Sequence, residues 1–340
     1  SKDLNYKSVP SFEAVLPKFL IIRDNNNAYM STNIKFRDKK NLRELIAEFW
    51  NLRDRILSKE NFITKNKSDR FNYDYFYELL NQSRDGLFEK ISDGIKLVND
   101  DTLKKIVIGS RLICKTNNGL NLVSILKKLR INHPNSCKYV WKRNSNDITL
   151  GASPEKLFTF NRNLLTLEAV AGTAPSNRDK KLLLKSQKDL VEHNVVRDYL
   201  FDCLSEFKIY EYKIEKLNVI QFGDVSHLYT EIKSHLEGIC PFKLLEYLHP
   251  SPAVCGIPKK EALYWINTLE NFDRDNYAAP IGWTDSKGNS DFRVAIRGAR
   301  FVNNQIEITA GSGIVKGSNY ENEIEEINLK LLTVAKQIFP

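Results

Sequence analysis

Two pairs of carboxylates at helical spacing are the residues of this chain best suited to do chemistry. Asp189 and Glu192 lie three apart, with His193 directly after them, and Glu323 and Glu326 repeat the spacing near the C-terminus, with Lys330 one turn on. Residues at i and i+3 share a helix face, where like charges repel by ~0.3 kcal/mol. A divalent cation would remove that cost and use the pair. On either helix alone a solvated acidic first turn, favoured by the helix dipole, is the commoner arrangement. Two such helices that could meet across a cleft weaken that reading. Donors that are all oxygen favour Mg²⁺ over Zn²⁺, and Mg²⁺ takes one or two protein carboxylates together with an anionic ligand.

Gly/Pro segments supply a second kind of chemistry. Gly151-Ala152-Ser153-Pro154-Glu155, Ala171-Gly172-Thr173-Ala174-Pro175 and Gly311-Ser312-Gly313 read as turns between strands and helices. Glycine lets backbone N–H groups approach an anion closely. None of these segments is a P-loop, and no GxGxxG follows a strand, so ordinary turns remain the simpler reading of each alone. In His249-Pro250-Ser251-Pro252-Ala253-Val254-Cys255-Gly256 two prolines fix an extended run before a small-residue turn.

The elements that must position these residues follow from periodicity. Leu42 to Leu57 has helical spacing, Asn25-Asn26-Asn27 reads as a turn, residues 58–75 as a polar loop, and another helix begins at Phe76 to Leu80. Ile106-Val107-Ile108 is a β-branched run of strand type. Leu122 to Leu129 reads as a helix. Short strands follow at 138–141, 148–150, 157–160 and 164–170, then one long helix over 179–206 with Leu183, Leu184, Leu190, Val195, Val196 and Leu200 inward. Further strands are expected at 207–220, 228–235, 292–302 and 304–310. A closing helix over 319–338 opens on a Ser318-x-x-Glu321 capping box, with Ile324, Ile327 and Leu331 as its buried stripe. Sheets joined by long helices indicate an α+β fold. Residues 1–100 are expected to complete the sheets without a function of their own, and residues 101–340 to form the catalytic region of one compact unit.

Composition bounds the function. The chain has 340 residues, 42% hydrophobic and 27% charged, which excludes disorder throughout. No apolar run approaches the ~20 residues of a membrane span, and Ser1-Lys2-Asp3 opens no signal-peptide pattern. Five scattered cysteines exclude a disulfide framework and point to a reducing compartment, and five scattered histidines offer no zinc site. A cytoplasmic location is expected, or a plastid stroma if a leader was removed. The net charge of +9 suits an anionic partner, but the basic residues are interspersed and no nucleic-acid-binding motif is present. A small acidic substrate fits at least as well, with neither nucleic acid nor membrane as partner.

Seven motifs in order carry a resemblance. Gly151-Ala152-Ser153-Pro154-Glu155, Ala171-Gly172-Thr173, Glu192-His193, the 249–256 turn, Ala295-Ile296-Arg297, Ala310-Gly311-Ser312-Gly313-Ile314-Val315 and Glu323-x-x-Glu326-x-x-x-Lys330 together resemble the chorismate-utilising enzymes. The resemblance covers about residues 100–335. It implies two large antiparallel β-sheets packed face to face with helices outside, chorismate as substrate and Mg²⁺ as cofactor. Within the family the chain is most similar to the isochorismate synthases. A lysine that attacks the ring in some relatives is replaced by Ala171. The water-activating lysine of others corresponds to Lys105 in Lys105-Ile106-Val107-Ile108-Gly109-Ser110-Arg111, with Arg111 one place late. Lys104 competes for that role, but strand alternation puts the two on opposite faces, and the β-branched run directly follows Lys105.

The resemblance implies Lys105 as base, Glu155 as acid, Glu192 and Glu326 as Mg²⁺ ligands, and Glu323 and Asp189 as holders of the ion's waters. It also implies Arg297 on the enolpyruvyl carboxylate, and Gly172, Thr173, His227, Tyr277, Gly311 and Lys330 as substrate contacts. Ala253 stands where salicylate synthases, which also eliminate pyruvate, tend to carry Thr; it favours a reaction that stops at isochorismate. Salicylate synthase is the alternative. No glutamine amidotransferase subunit is expected, and a monomer is. Quinone, siderophore and salicylate pathways all stay open as consumers of the product.

Overall fold

A computed structural model describes residues 12–24, 27–33, 42–58, 73–116, 120–177 and 180–339. The chain divides into two units, residues 1–65 and 66–340. In the first unit β1 (Phe19–Asp24) and β2 (Asn27–Thr32) pair antiparallel, and α1 (Leu42–Leu57) follows with the expected bounds. Asn25 and Asn26 of the expected turn, and residues 59–72 of the expected loop, lie outside the described residues.

The second unit opens with α2 (Tyr73–Asn99), β3 (Lys105–Lys115), α3 (Leu122–Asn132), β4 (Cys137–Asn144), β5 (Asp147–Ser153), β6 (Lys156–Asn161) and β7 (Leu164–Pro175). Next come α4 (Lys180–Leu183), α5 (Gln187–Glu206), β8 (Lys213–Ile214), β9 (Asn218–Phe222), β10 (Val225–His235), α6 (Pro241–Leu248), β11 (Gly256–Ile257) and α7 (Lys259–Leu269). The chain finishes with β12 (Pro280–Thr284), β13 (Ser290–Val294), β14 (Gly298–Val302), β15 (Gln305–Val315) and α8 (Tyr320–Ile338). Among the described residues no helix is long and apolar enough to cross a membrane.

The expected pair of antiparallel sheets is present. One has the order β11-β3-β15-β14-β5-β4; the other is β12-β13-β6-β7-β10-β8, with β9 also on β10. Their described strands all fall between Lys105 and Val315, so the first hundred residues contribute α2 against the six-stranded sheet and no described strand. Period-two alternation assigns the faces. Ile106, Ile108 and Leu112 of β3, with Ile306, Ile308 and Ile314 of β15, bury themselves under α2, α3, α7 and α8. Val107, Thr309 and Gly311 face the other way and line a cleft shared with Val170, Ala171 and Thr173 of β7. On the second sheet Leu165, Leu167 and Phe158 pack outward against α5 and α6. Helices thus cover the outer faces and the cleft lies between the sheets.

Local differences from the expected elements have identifiable causes. The long helix over 179–206 is two helices: Ser186 starts α5 by accepting the Asp189 N–H, and Leu184, expected inward, is exposed. The last helix is capped by Asn319, whose side chain accepts from the N–H groups of Glu321 and Asn322; Ser318 instead accepts from the Val315 N–H. The strand expected over 292–302 is split between the sheets, β13 in one and β14 in the other, with Arg297 at φ +54° in the crossover. Gly172, Gly311 and Gly313 sit inside strands β7 and β15, where turns were expected.

Candidate active site

The cleft is built where the chain changes sheets. Pro154–Glu155 crosses from β5 to β6, and Ala295–Arg297 crosses from β13 back to β14. The two crossovers are stitched together: Ser153 Oγ donates to Val294 O (2.6 Å), Val294 N to Glu155 O (3.2 Å) and Ala152 N to Arg297 O (3.1 Å). Two distant stretches thereby deliver Glu155 and Arg297 to one cavity of about 660 Å³, its open mouth included. Ten of the residues named from the sequence line it: Glu155, Gly172, Thr173, Glu192, His227, Ala253, Tyr277, Arg297, Gly311 and Lys330. Lys105, Asp189, Glu323 and Glu326 stand behind that lining.

Alternation along β3 separates the two candidate lysines. Lys104 is exposed, whereas Lys105 is fully buried and donates to Glu192 Oε1 at 2.9 Å. Gly313 of β15 makes this pair possible: a Cβ there would lie 2.2 Å from Glu192 Oε1 and 2.8 Å from Lys105 Cε. Gly172, at φ +78°, lies where β7 passes α5, and a Cβ there would meet the Asp189 Cβ at 3.0 Å.

The four helix carboxylates surround one ammonium that the sequence reading overlooked. Lys188 Nζ lies 3.0 Å from Glu323 Oε1, 3.4 Å from Glu192 Oε2 and 3.9 Å from Asp189 Oδ1. Its spacing one turn before Glu192 was visible, but a lysine beside a glutamate is usually a surface pair. Burial favours the uncharged form of Lys188; Glu192, Glu326, Glu323 and Asp189 overcome that and hold its pKa well above the ordinary range. Burial likewise opposes charge on Glu192 and Glu326. Lys105 and Lys188 outweigh it for Glu192, and Lys330 and Lys188 for Glu326, so both carboxyls sit below the usual range. Glu326 also pairs with Lys330, which donates to Gly311 O at 3.0 Å. Burial raises Glu323 and Asp189, and Ser312 Oγ donates to Glu323 Oε2.

Among the described residues no three carboxylate, imidazole or thiol groups gather tightly enough to hold an ion as they stand. Mg²⁺ asks for less, one or two carboxylates with water and ligand oxygens completing the shell. An all-carboxylate set on two helices, with a cation already drawn among them, has the right chemistry for it.

Across the cleft, burial pushes the Glu155 carboxyl up to about 7, against the opposing charge of Lys105. Ser251 Oγ, in the proline-bounded turn, is 3.4 Å from Glu155 Oε1. Arg297 is half-buried, and desolvation of its guanidinium lowers its pKa to about 10. Its Nη2 meets His227 Nε2 at 3.1 Å, while Nη1 is buried without a partner. A nitrogen that accepts from a guanidinium carries no proton, so the His227 hydrogen belongs on Nδ1, 3.1 Å from Gly172 O and from Thr173 Oγ1. Burial and Arg297 together push His227 down to about 3. Both ring nitrogens are therefore engaged, and His227 steadies Arg297. A buried guanidinium with one side unfilled calls for an anion, and its planar fork suits a carboxylate.

Known proteins share this architecture. A family model described as "Chorismate binding enzyme" matches residues 1–339. The vibriobactin-specific isochorismate synthase of Vibrio cholerae is 30% identical over 254 residues, covering 72% of this chain and 64% of that protein. The salicylate biosynthesis isochorismate synthase of Pseudomonas aeruginosa is 33% identical over 252 residues, covering 71% and 52%. The chain thus spans between half and two thirds of the length of these relatives. The menaquinone-specific isochorismate synthase of Escherichia coli has the same fold, with a TM-score of 0.78 at 22% identity over 95% of this chain and 75% of that one. With the match running the length of the chain and the cleft assembled from the motifs that suggested it, the protein belongs to the chorismate-binding enzyme family.

Proposed function

We propose that the protein is an isochorismate synthase, interconverting chorismate and isochorismate reversibly with Mg²⁺. The observation that carries this reading is the content of one cleft: a buried carboxyl held near 7 and a buried guanidinium with an unfilled nitrogen. In the forward direction water adds at ring C2, the ring double bonds shift, and the C4 hydroxyl leaves. Hydroxide leaves poorly, so Glu155 gives it a proton and water departs. Water attacks poorly, so Lys105 takes its proton. The proton and water inventories then balance. Lys105 enters the step as the neutral amine, and the proton it gains returns to Glu155 through solvent before the next turnover.

Arg297 Nη1 grips the enolpyruvyl carboxylate, and His227 keeps the guanidinium aimed. Lys330, Tyr277, Gly311, Gly172 and Thr173 complete the substrate contacts. Glu192 and Glu326 would hold Mg²⁺, with Glu323 and Asp189 behind them; the bound ion supplies positive charge against the ring carboxylate. Ala253 in the cleft favours release of isochorismate over pyruvate elimination. The chain works as a monomer without an amidotransferase.

Lys105→Ala and Glu155→Gln, assayed with chorismate and Mg²⁺ by chromatography, test the acid–base pair. Each substitution lowers turnover by ~10²- to 10⁴-fold. Undiminished turnover by both would overturn it.

A further inference from the structure

The edge of β3 is only partly covered by strand. On one side β3 pairs with β15 along its whole length. On the other, β11 reaches only Ile257↔Lys105 and Gly256↔Ile106, and Val107 N–H still finds Cys255 O at 2.7 Å before the turn swings away. Residues two apart in a strand direct their backbone groups to the same edge. The Val107 C=O and the Gly109 N–H are therefore the next groups on this edge, and burial makes them costly to leave unpaired.

Side chains take the place of the missing strand. Arg274 Nη2 donates to Val107 O at 2.8 Å, and Glu270 Oε1 accepts from Gly109 N–H at 2.7 Å. The two side chains grip each other, Nε to Oε2 at 2.8 Å and Nη2 to Oε1 at 2.5 Å. Arg274 Nη1 reaches further, to Val254 O at 2.6 Å, and the guanidinium carbon lies 5.7 Å from the Tyr277 ring centroid. The pair is deep in the protein, with the Glu270 side chain 1% and that of Arg274 18% exposed. Neither lines the cleft, yet Val107, Val254 and Tyr277 all do.

We propose that Arg274, locked by Glu270, is the positioning residue that fixes the β3, turn and Tyr277 walls of the cleft relative to one another. One planar fork serves two carbonyls, a carboxylate and an aromatic face at once. A lysine, with a single point of charge, cannot span them. The strand it holds carries Lys105 two residues before Val107, and the turn carries Ser251, the partner of Glu155. The substrate ring must sit between these groups, and its misplacement by an ångström costs ~10²-fold in rate. The rate readout rests on the chorismate reading above; the structural readout does not.

The test uses Arg274→Lys, Arg274→Ala and Glu270→Gln in the full chain. kcat and KM for chorismate are measured with the thermal midpoint, with hydrogen–deuterium exchange of the 105–111 and 251–256 segments, and with added guanidinium at non-denaturing concentration. The expected result is a ~100-fold lower kcat for Arg274→Ala, a smaller loss for Glu270→Gln, and no recovery in Arg274→Lys. Both segments exchange faster while the outer helices keep their protection, and guanidinium restores Arg274→Ala without stimulating the wild type. Wild-type kcat in Arg274→Lys, or unchanged exchange in the two segments, overturns the positioning role. Absence of turnover by the wild type instead overturns the chorismate reading, and the exchange measurement then decides on Arg274 alone.

Discussion

The acid role proposed for Glu155 depends on the crossover between the sheets, which takes its carboxyl out of water. Its carboxyl moves from an ordinary 4.5 to about 7, so it keeps a proton to neutral pH. A folded-state pKa above the unfolded one means that folding favours the protonated form. The stability this gives is complete below about 4.5 and is lost as pH rises through about 7. At 1.36 kcal/mol for each pH unit the loss is at most about 3 kcal/mol. Thermal melts from pH 4.5 to 8 should show wild type falling relative to Glu155→Gln across that window and running parallel to it above. A constant offset would mean that Glu155 does not titrate there. With Glu155 as the proposed acid, wild-type kcat should fall as pH rises through about 7. At this scale the sequence spoke unevenly. Strand alternation said that only one of Lys104 and Lys105 can face inward but left open which; the fold buries Lys105. Lys188 and Arg274 were not readable, since their roles depend on groups brought from other segments: Glu323 for one, Val107 and Val254 for the other.

The carboxylate spacing on α5 and α8 could be read from sequence because helical periodicity is local. Sheet membership could not. Residues 292–302 look like one strand, yet the chain leaves one sheet at Val294 and joins the other at Gly298, with Arg297 held in a left-handed conformation between them. The glycines of β15 looked like loop residues for a related reason. A glycine kept for close approach resembles a turn glycine until its neighbour across the sheet is known. Gly313 shows the difference. Its missing side chain makes room for the Lys105–Glu192 pair, so Gly313→Ala must push that pair apart. Overpacking of this kind costs ~1–3 kcal/mol. The expected outcome is a thermal midpoint lowered by several degrees and, on the proposed roles of both groups, kcat lowered at least ~10-fold. A fully active Gly313→Ala would show that the Lys105–Glu192 contact is not needed in its present form.

Two sheets with their apolar faces turned outward under helices leave inner faces free to carry charge. The cleft therefore holds a density of ionisable groups that a single core could not tolerate unpaired. Lys105, Lys188 and Lys330 balance Glu192, Glu323 and Glu326, so these buried charges are paired within the protein itself. The architecture was expected from ordered motifs over residues 100–335, and the family match over residues 1–339 bears out the family. The most direct test of the account is a single incubation of the purified chain with chorismate, with Mg²⁺ and after chelation, following isochorismate and pyruvate together by chromatography. Isochorismate in equilibrium with chorismate is expected, with no pyruvate and with loss of turnover on chelation that returned Mg²⁺ reverses. Chorismate left untouched with Mg²⁺ present, or pyruvate formed in step with its consumption, would contradict it.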